Sequence, residues 1–217
     1  MGKRFSIFSI LISVVVVIGG CFRSVEPPVI NGRDRRIPQT SATVVPVITV
    51  HPTSKYPPGW VPPRGRERRW KAIIIHHSAQ STGNMAMIDK YHREVNGWDG
   101  VGYDFVIGNG KGKADGQVEV TFRWRKQIAG AHCGGTPNNR ANESGIGICL
   151  IGDFTKTRPT YRQMSALKKL VRFLQKRYKI PTSRIYGHST TPGYTRGSIC
   201  PGKNFPMAAF KRSLRAI

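Results

Sequence analysis

An apolar run over residues 5–18 follows Lys3 and Arg4, then gives way at Gly19 and Gly20 to a long stretch with no apolar period. Between 22 and 69 that stretch is rich in proline, threonine, serine and arginine, with Pro27-Pro28, Pro57-Pro58 and Pro62-Pro63 as doublets. Such a composition buries too little apolar surface to offset its ordering entropy, so it reads as a partly extended tether. The short run 42–50 is interrupted by Pro46 and stays with the tether. Periodic patterning begins near Trp70. Residues 71–76 form a β-branched run of the kind found in strands buried on both faces. Met85, Ile88, Tyr91, His92 and Val95 recur at helical spacing, and Gly97 supplies a left-handed terminator. Residues 103–107 and 145–151 read as further strands; the glycine-, asparagine- and proline-rich loop 130–142 between them is long enough to carry function. Thr160 and Gln163 form a capping box ahead of Met164, Leu167, Leu170, Val171, Leu174 and Tyr178, one apolar helix face that Pro181 closes. Residues 184–187 read as one more short strand leading into His188. Strands alternating with helices, without internal repeats, predict a single α/β (mixed α+β) domain over 70–217, a central mixed β-sheet flanked by helices.

The N-terminal pattern sets the compartment. The apolar run is short and asymmetrically flanked for a membrane span, and the segment Ile18-Gly19-Gly20-Cys21 resembles a bacterial lipobox. Residues 1–20 are therefore expected to be a lipoprotein-type signal peptide, with Cys21 lipidated and 21–69 as the tether. An uncleaved anchor and an ordinary signal peptide with an incidental cysteine are the plainer alternatives. All three place the domain outside the cytoplasm, and the lipobox reading makes it a membrane-anchored lipoprotein of the bacterial envelope, periplasmic or outer-facing. The 217 residues carry 35 lysines and arginines against 11 acidic residues, a formal net charge of +24. That balance suits an anionic partner: nucleic acid, lipid or cell-wall polymer. Because the basic residues spread over tether and helix faces without a nucleic-acid motif, no nucleic-acid partner is expected.

Three side chains carry the candidate chemistry. His76 and His188 end predicted strands, and Cys200 lies in a loop containing Gly193, Gly197 and Gly202. Loops at strand ends let a rigid scaffold converge side chains on a metal. Two imidazoles and a thiolate are a zinc-binding set, and three protein ligands leave the fourth tetrahedral position open for water, as catalysis requires. The three form no compact local metal motif, so their spacing alone does not identify one.

Read in order, Ile75-His76-His77-Ser78-Ala79, then the segments 101–107 and 145–152, then Gly187-His188 and Cys200-Pro201-Gly202, resemble the N-acetylmuramoyl-L-alanine amidases. The branch is the one shared by phage lysozymes of this type and peptidoglycan recognition proteins. The resemblance covers residue 70 to the C-terminus, and several motifs in order are far more specific than any one alone. It implies an amidase and peptidoglycan recognition protein-like fold, a Zn2+ cofactor held by His76, His188 and Cys200, and Tyr103 as a catalytic residue beside the metal. The implied reaction is hydrolysis of the amide between N-acetylmuramic acid and L-alanine in peptidoglycan. His132 and Asn142 match positions that line the substrate groove and are expected to contact substrate. Two departures stand out. Phage enzymes carry a lysine two residues before the ligand cysteine; Ser198 occupies that place, closer to the threonine of catalytic recognition proteins, and is expected to assist catalysis, with Arg196 as a neighbouring source of charge. Some relatives carry a glutamate on the strand occupied by Cys149 and Ile151, and its absence leaves hydroxide assisted by Tyr103 as the expected base.

A non-catalytic peptidoglycan-binding module of the same fold is the alternative. Such binders usually lose the cysteine or the tyrosine, and this chain has both Cys200 and Tyr103. Expected partners are peptidoglycan and, through the lipid anchor, the membrane; the chain is expected to be a monomer. His77 should point to the opposite side of its strand from His76, His92 should be a core residue of its helix, and His51 belongs to the tether. An oxidising compartment permits pairing of Cys133 with Cys149, yet the buried strand position of Cys149 favours two free thiols. Trp60, Trp70, Trp98 and Trp124 are too scattered to form a sugar-stacking platform.

Overall fold

In the computed structural model, residues 56–65 and 67–215 are described, all within one compact unit. The expected signal peptide, Cys21, His51 and the tether up to residue 55 lie outside the described residues. Five strands build one sheet: β1 (Ala72–His77), β2 (Phe105–Ile107), β3 (Val118–Val120), β4 (Gly145–Leu150) and β5 (Ile185–Gly187), in the order β3-β2-β4-β1-β5. β1 runs parallel to β4 and β5, β4 runs parallel to β2, and β3 is antiparallel to β2, so the sheet is mixed as expected. The helices are α1 (Met85–Glu94), α2 (Phe122–Lys126), α3 (Arg140–Ser144), α4 (Tyr161–Tyr178) and α5 (Met207–Arg215). Among the described residues, no helix is long and apolar enough to cross a membrane.

Strand alternation divides the sheet into two chemically different faces. Ile73, Ile75, Ile146, Ile148 and Leu150 pack in one buried cluster with Leu167, Leu170, Val171 and Leu174 of α4 and with Phe210 and Leu214 of α5. Ile74, His76 and Cys149 therefore face the other way, where Cys149 and Val106 cluster with Met85 and Ile88 of α1. Both faces of β1 and β4 are covered, which accounts for apolar runs without polar alternation. α4 begins with the expected capping box, Thr160 Oγ1 accepting from the Gln163 N–H and Gln163 Oε1 accepting from the Thr160 N–H. It ends at Lys179 in the left-handed conformation, two residues before Pro181.

Two differences from the sequence reading have physical causes. An apolar period ordinarily marks a buried helix face, yet Tyr91 of α1 is 56% exposed and Val95, just past its end, 63%. α1 rests through Met85 and Ile88 on the sheet face that carries Val106 and Cys149, and turns Met87 and Tyr91 toward a cleft. The end of the expected tether, in turn, packs on the α4 side of the domain. Trp60 is buried, its carbonyl accepts the Trp124 indole N–H at 3.0 Å, and the Tyr56 ring lies 4.7 Å from that of Phe173. Glu67 pairs with Arg177 of α4. Two aromatic side chains supply the apolar area that the surrounding prolines lack.

Candidate metal centre

The parallel order β4-β1-β5 brings three distant side chains together at the C-terminal end of the sheet. His76 is the penultimate residue of β1, His188 follows β5 directly, and Cys200 sits in the glycine-rich loop ahead of α5. Their ligand atoms all lie within 4.8 Å of one another, the one such group among the described residues. Cys200 Sγ is 3.7 Å from His76 Nδ1, and the rings of His76 and His188 are 4.7 Å apart.

The surroundings suit a cation. Burial, followed by the neighbouring imidazoles of His132 and His188, holds the His76 pKa well below its usual value. Burial likewise takes His188 down to about 4. Both rings are thus neutral at neutral pH, with lone pairs to offer. His188 Nε2 is buried without a hydrogen-bond partner, an orphan of the kind a metal satisfies. Burial pushes the Cys200 thiol up to about 12, while the His77 backbone N–H, 3.3 Å from Sγ, favours the thiolate. Two nitrogens and one sulfur are a donor set that would fit zinc, with no fourth donor in the group among the described residues.

Tyr103 stands beside this group, its ring 5.0 Å from that of His76. Burial first, then the Cys149 and Cys200 sulfurs, hold its phenol well above the usual pKa, so it stays an O–H donor. Ser198 Oγ accepts the Cys200 N–H at 3.0 Å and so shapes the turn that presents the sulfur. Arg196 lies against Gly134 and Gly135 in the 130–142 loop. His132 and Asn142, the residues expected to contact substrate, are both buried, and their polar atoms are used inside the protein. Asn142 Oδ1 accepts the N–H groups of His132 and Cys133, each at 2.8 Å. His132 Nδ1 is 3.1 Å from His76 Nε2, and His132 Nε2 is 3.2 Å from the Gly145 carbonyl.

His77 and His92 are buried and hydrogen-bonded, and His92 also lines the cleft beside α1. His77 Nδ1 accepts the Phe154 N–H on the α4 side of the sheet, and His92 Nδ1 accepts the Gly102 N–H. Cys133 and Cys149 are free and buried. Ser78, Gln80, Met87, Tyr91 and Tyr103 help line a cleft of about 560 Å³ beside the metal group, and this is where the exposed side of α1 faces. Asp104 escaped the sequence reading. It is fully buried, Oδ2 accepts the Gly147 N–H at 2.8 Å, and Oδ1 has no hydrogen-bond partner. Its place inside a predicted strand, next to Tyr103, was the available signal.

A family model described as N-acetylmuramoyl-L-alanine amidase matches residues 66–203. Peptidoglycan-recognition protein 2 of Holotrichia diomphalia is 30% identical over 137 residues, covering 57% of this chain and 67% of that protein. The N-acetylmuramoyl-L-alanine amidase of Sus scrofa is 28% identical over 133 residues, covering 55% of this chain and only 20% of the pig protein. Among solved structures, the endolysine N-acetylmuramoyl-L-alanine amidase LysCS from Clostridium intestinale superposes with a TM-score of 0.56 at 29% identity, covering 67% of this chain and 84% of that one.

Proposed function

Since the chain belongs to the N-acetylmuramoyl-L-alanine amidase family, we propose that it is a zinc-dependent hydrolase that cuts the amide between N-acetylmuramic acid and L-alanine in peptidoglycan. The single observation that carries the reading is the His76–His188–Cys200 group, three donors within 4.8 Å and, among the described residues, no fourth, beside Tyr103. Zinc, when held there, supplies a Lewis acid for the scissile carbonyl and an activated water near neutral pH.

The chain's own residues supply the rest. The Cys200 thiolate leaves the centre net positive, which favours negative charge developing on the carbonyl oxygen. Tyr103, kept protonated by burial, donates its O–H to that oxygen or orients the attacking water. The cleft beside α1 offers Tyr91 and Met87 as apolar contact and Gln80 and Ser78 as polar contact for a glycopeptide. Ser198 acts through Cys200, because its hydroxyl already accepts the ligand's backbone N–H. Export through residues 1–20 and lipidation at Cys21 complete the proposal, placing a monomeric domain against the envelope's peptidoglycan.

Mass spectrometry of purified muropeptides incubated with the zinc-loaded protein tests this. Release of free stem peptide together with intact sugar supports hydrolysis. Unchanged muropeptide that nonetheless co-purifies with the protein would make the chain a recognition module instead.

A further inference from the structure

We infer that His132 is a positioning residue for the metal ligand His76: it fixes, through two hydrogen bonds in series, the tautomer that presents His76 Nδ1 to the metal. The inference rests on reading the His76–His188–Cys200 group as a zinc centre, and it removes His132 from the substrate-contacting residues.

The direction of the chain follows from donor and acceptor chemistry. The Gly145 carbonyl can only accept, so His132 Nε2, 3.2 Å away, must carry the proton. In a neutral ring, Nδ1 then holds the lone pair. That lone pair faces His76 Nε2 at 3.1 Å, so His76 Nε2 must donate. His76 Nδ1 is left with its own lone pair, on the side where Cys200 Sγ lies 3.7 Å away. A metal-bound histidine commonly donates its other N–H to an acceptor that sets tautomer and ring orientation, usually a carboxylate, carbonyl or water. Here a second imidazole, anchored on a backbone carbonyl of β4, takes that place.

The fold builds the seat for this ring. A Cβ on Gly147 of β4, or on Gly130, would overlap the His132 imidazole, so glycine at both positions makes room for it. Asn142 holds the backbone of residues 132 and 133 through Oδ1, and its Nδ2 donates to Asn139 Oδ1 at 2.8 Å. The Ala131 N–H is bonded to the Gly102 carbonyl and the Gly130 N–H to that of Asn142, both at 2.9 Å. With 7% of its surface exposed and both ring nitrogens engaged, His132 has nothing left for a ligand in the cleft.

Two measurements on the full chain test the assignment. In metal-free protein at neutral pH, long-range ¹⁵N–¹H correlation spectra should show both His76 and His132 protonated at Nε2; a His76 proton on Nδ1 would overturn the inference. Zinc dissociation constants from chelator competition should rise about 10- to 100-fold in His132→Ala. They should largely recover in His132→Asn, whose amide oxygen replaces the Nδ1 acceptor. Unchanged affinity in His132→Ala, or an Asn variant no better than Ala, sinks the positioning role while leaving the zinc centre in place. Wild-type protein that binds no zinc overturns both. If His132→Ala does not fold, the wild-type tautomers decide the matter.

Discussion

At Cys200, Sγ lies 3.7 Å from His76 Nδ1 and receives the His77 backbone N–H. Cys200→Ala removes a donor of the proposed zinc centre and leaves that buried N–H unpaired. Zinc content measured by atomic emission should fall to background, with hydrolysis lost in parallel. Tyr103→Phe keeps the ring packing and removes only the hydroxyl, so zinc content should hold while kcat falls about 100- to 1,000-fold, the usual cost of one oxyanion-type donor. Asp104 makes a pH prediction. Burial raises its carboxyl from 3.8 to about 7, so between those values the folded protein holds a proton that the unfolded chain has released. Its stabilising contribution is full below the unfolded pKa and is lost as pH rises through about 7. Asp104→Asn keeps an acceptor for the Gly147 N–H without that titration. Its melting temperature should match the wild type near about pH 4 and exceed it near about pH 8, at roughly 2–4 °C per kcal/mol. A gap that does not change with pH would show that Asp104 is not the titrating group.

Elements whose patterns are local and periodic were legible in the sequence. β1 and β4 announced themselves as β-branched runs, and α4 through its capping box and its Leu167–Leu170–Leu174 face. The Thr160 hydroxyl also donates to Asp115 Oδ1 at 2.5 Å, so Thr160→Ala should cost about 1 kcal/mol or somewhat more, read from urea unfolding. The short elements β3, α2 and α3 were not legible: three to five residues carry too little period to read, and tertiary contacts hold them. The His76–His188–Cys200 group was legible by residue type and through the family resemblance, not by spacing, because its members come from two strand ends and a distant loop. His132 and Asn142 were harder. A histidine and an asparagine in a long polar loop look solvent-facing, and only the glycines of β4 reveal that the loop folds inward.

The described domain presents two unlike sides. His76 and the cleft lie on one face of the sheet, and α4 and α5 cover the other with no acidic residue in either helix. Two helices with basic but no acidic residues suit an anionic polymer, and such attraction is screened over about 10 Å at 0.1 M salt. Retention on isolated cell-wall sacculi should therefore fall as salt rises, while turnover of a small soluble muropeptide stays nearly constant; retention indifferent to salt would show that the charge plays no part in docking. Cys21→Ser should shift the protein from the membrane fraction to the soluble one. Unaltered fractionation would make the apolar segment itself the anchor.

X-ray absorption at the zinc edge of the metal-loaded protein tests the central claim most directly. The account predicts one sulfur at about 2.3 Å and three light atoms at about 2.0–2.1 Å, two from His76 and His188 and one exchangeable with solvent. A second sulfur in the shell, from Cys133 or Cys149, would close the sphere with protein and contradict it.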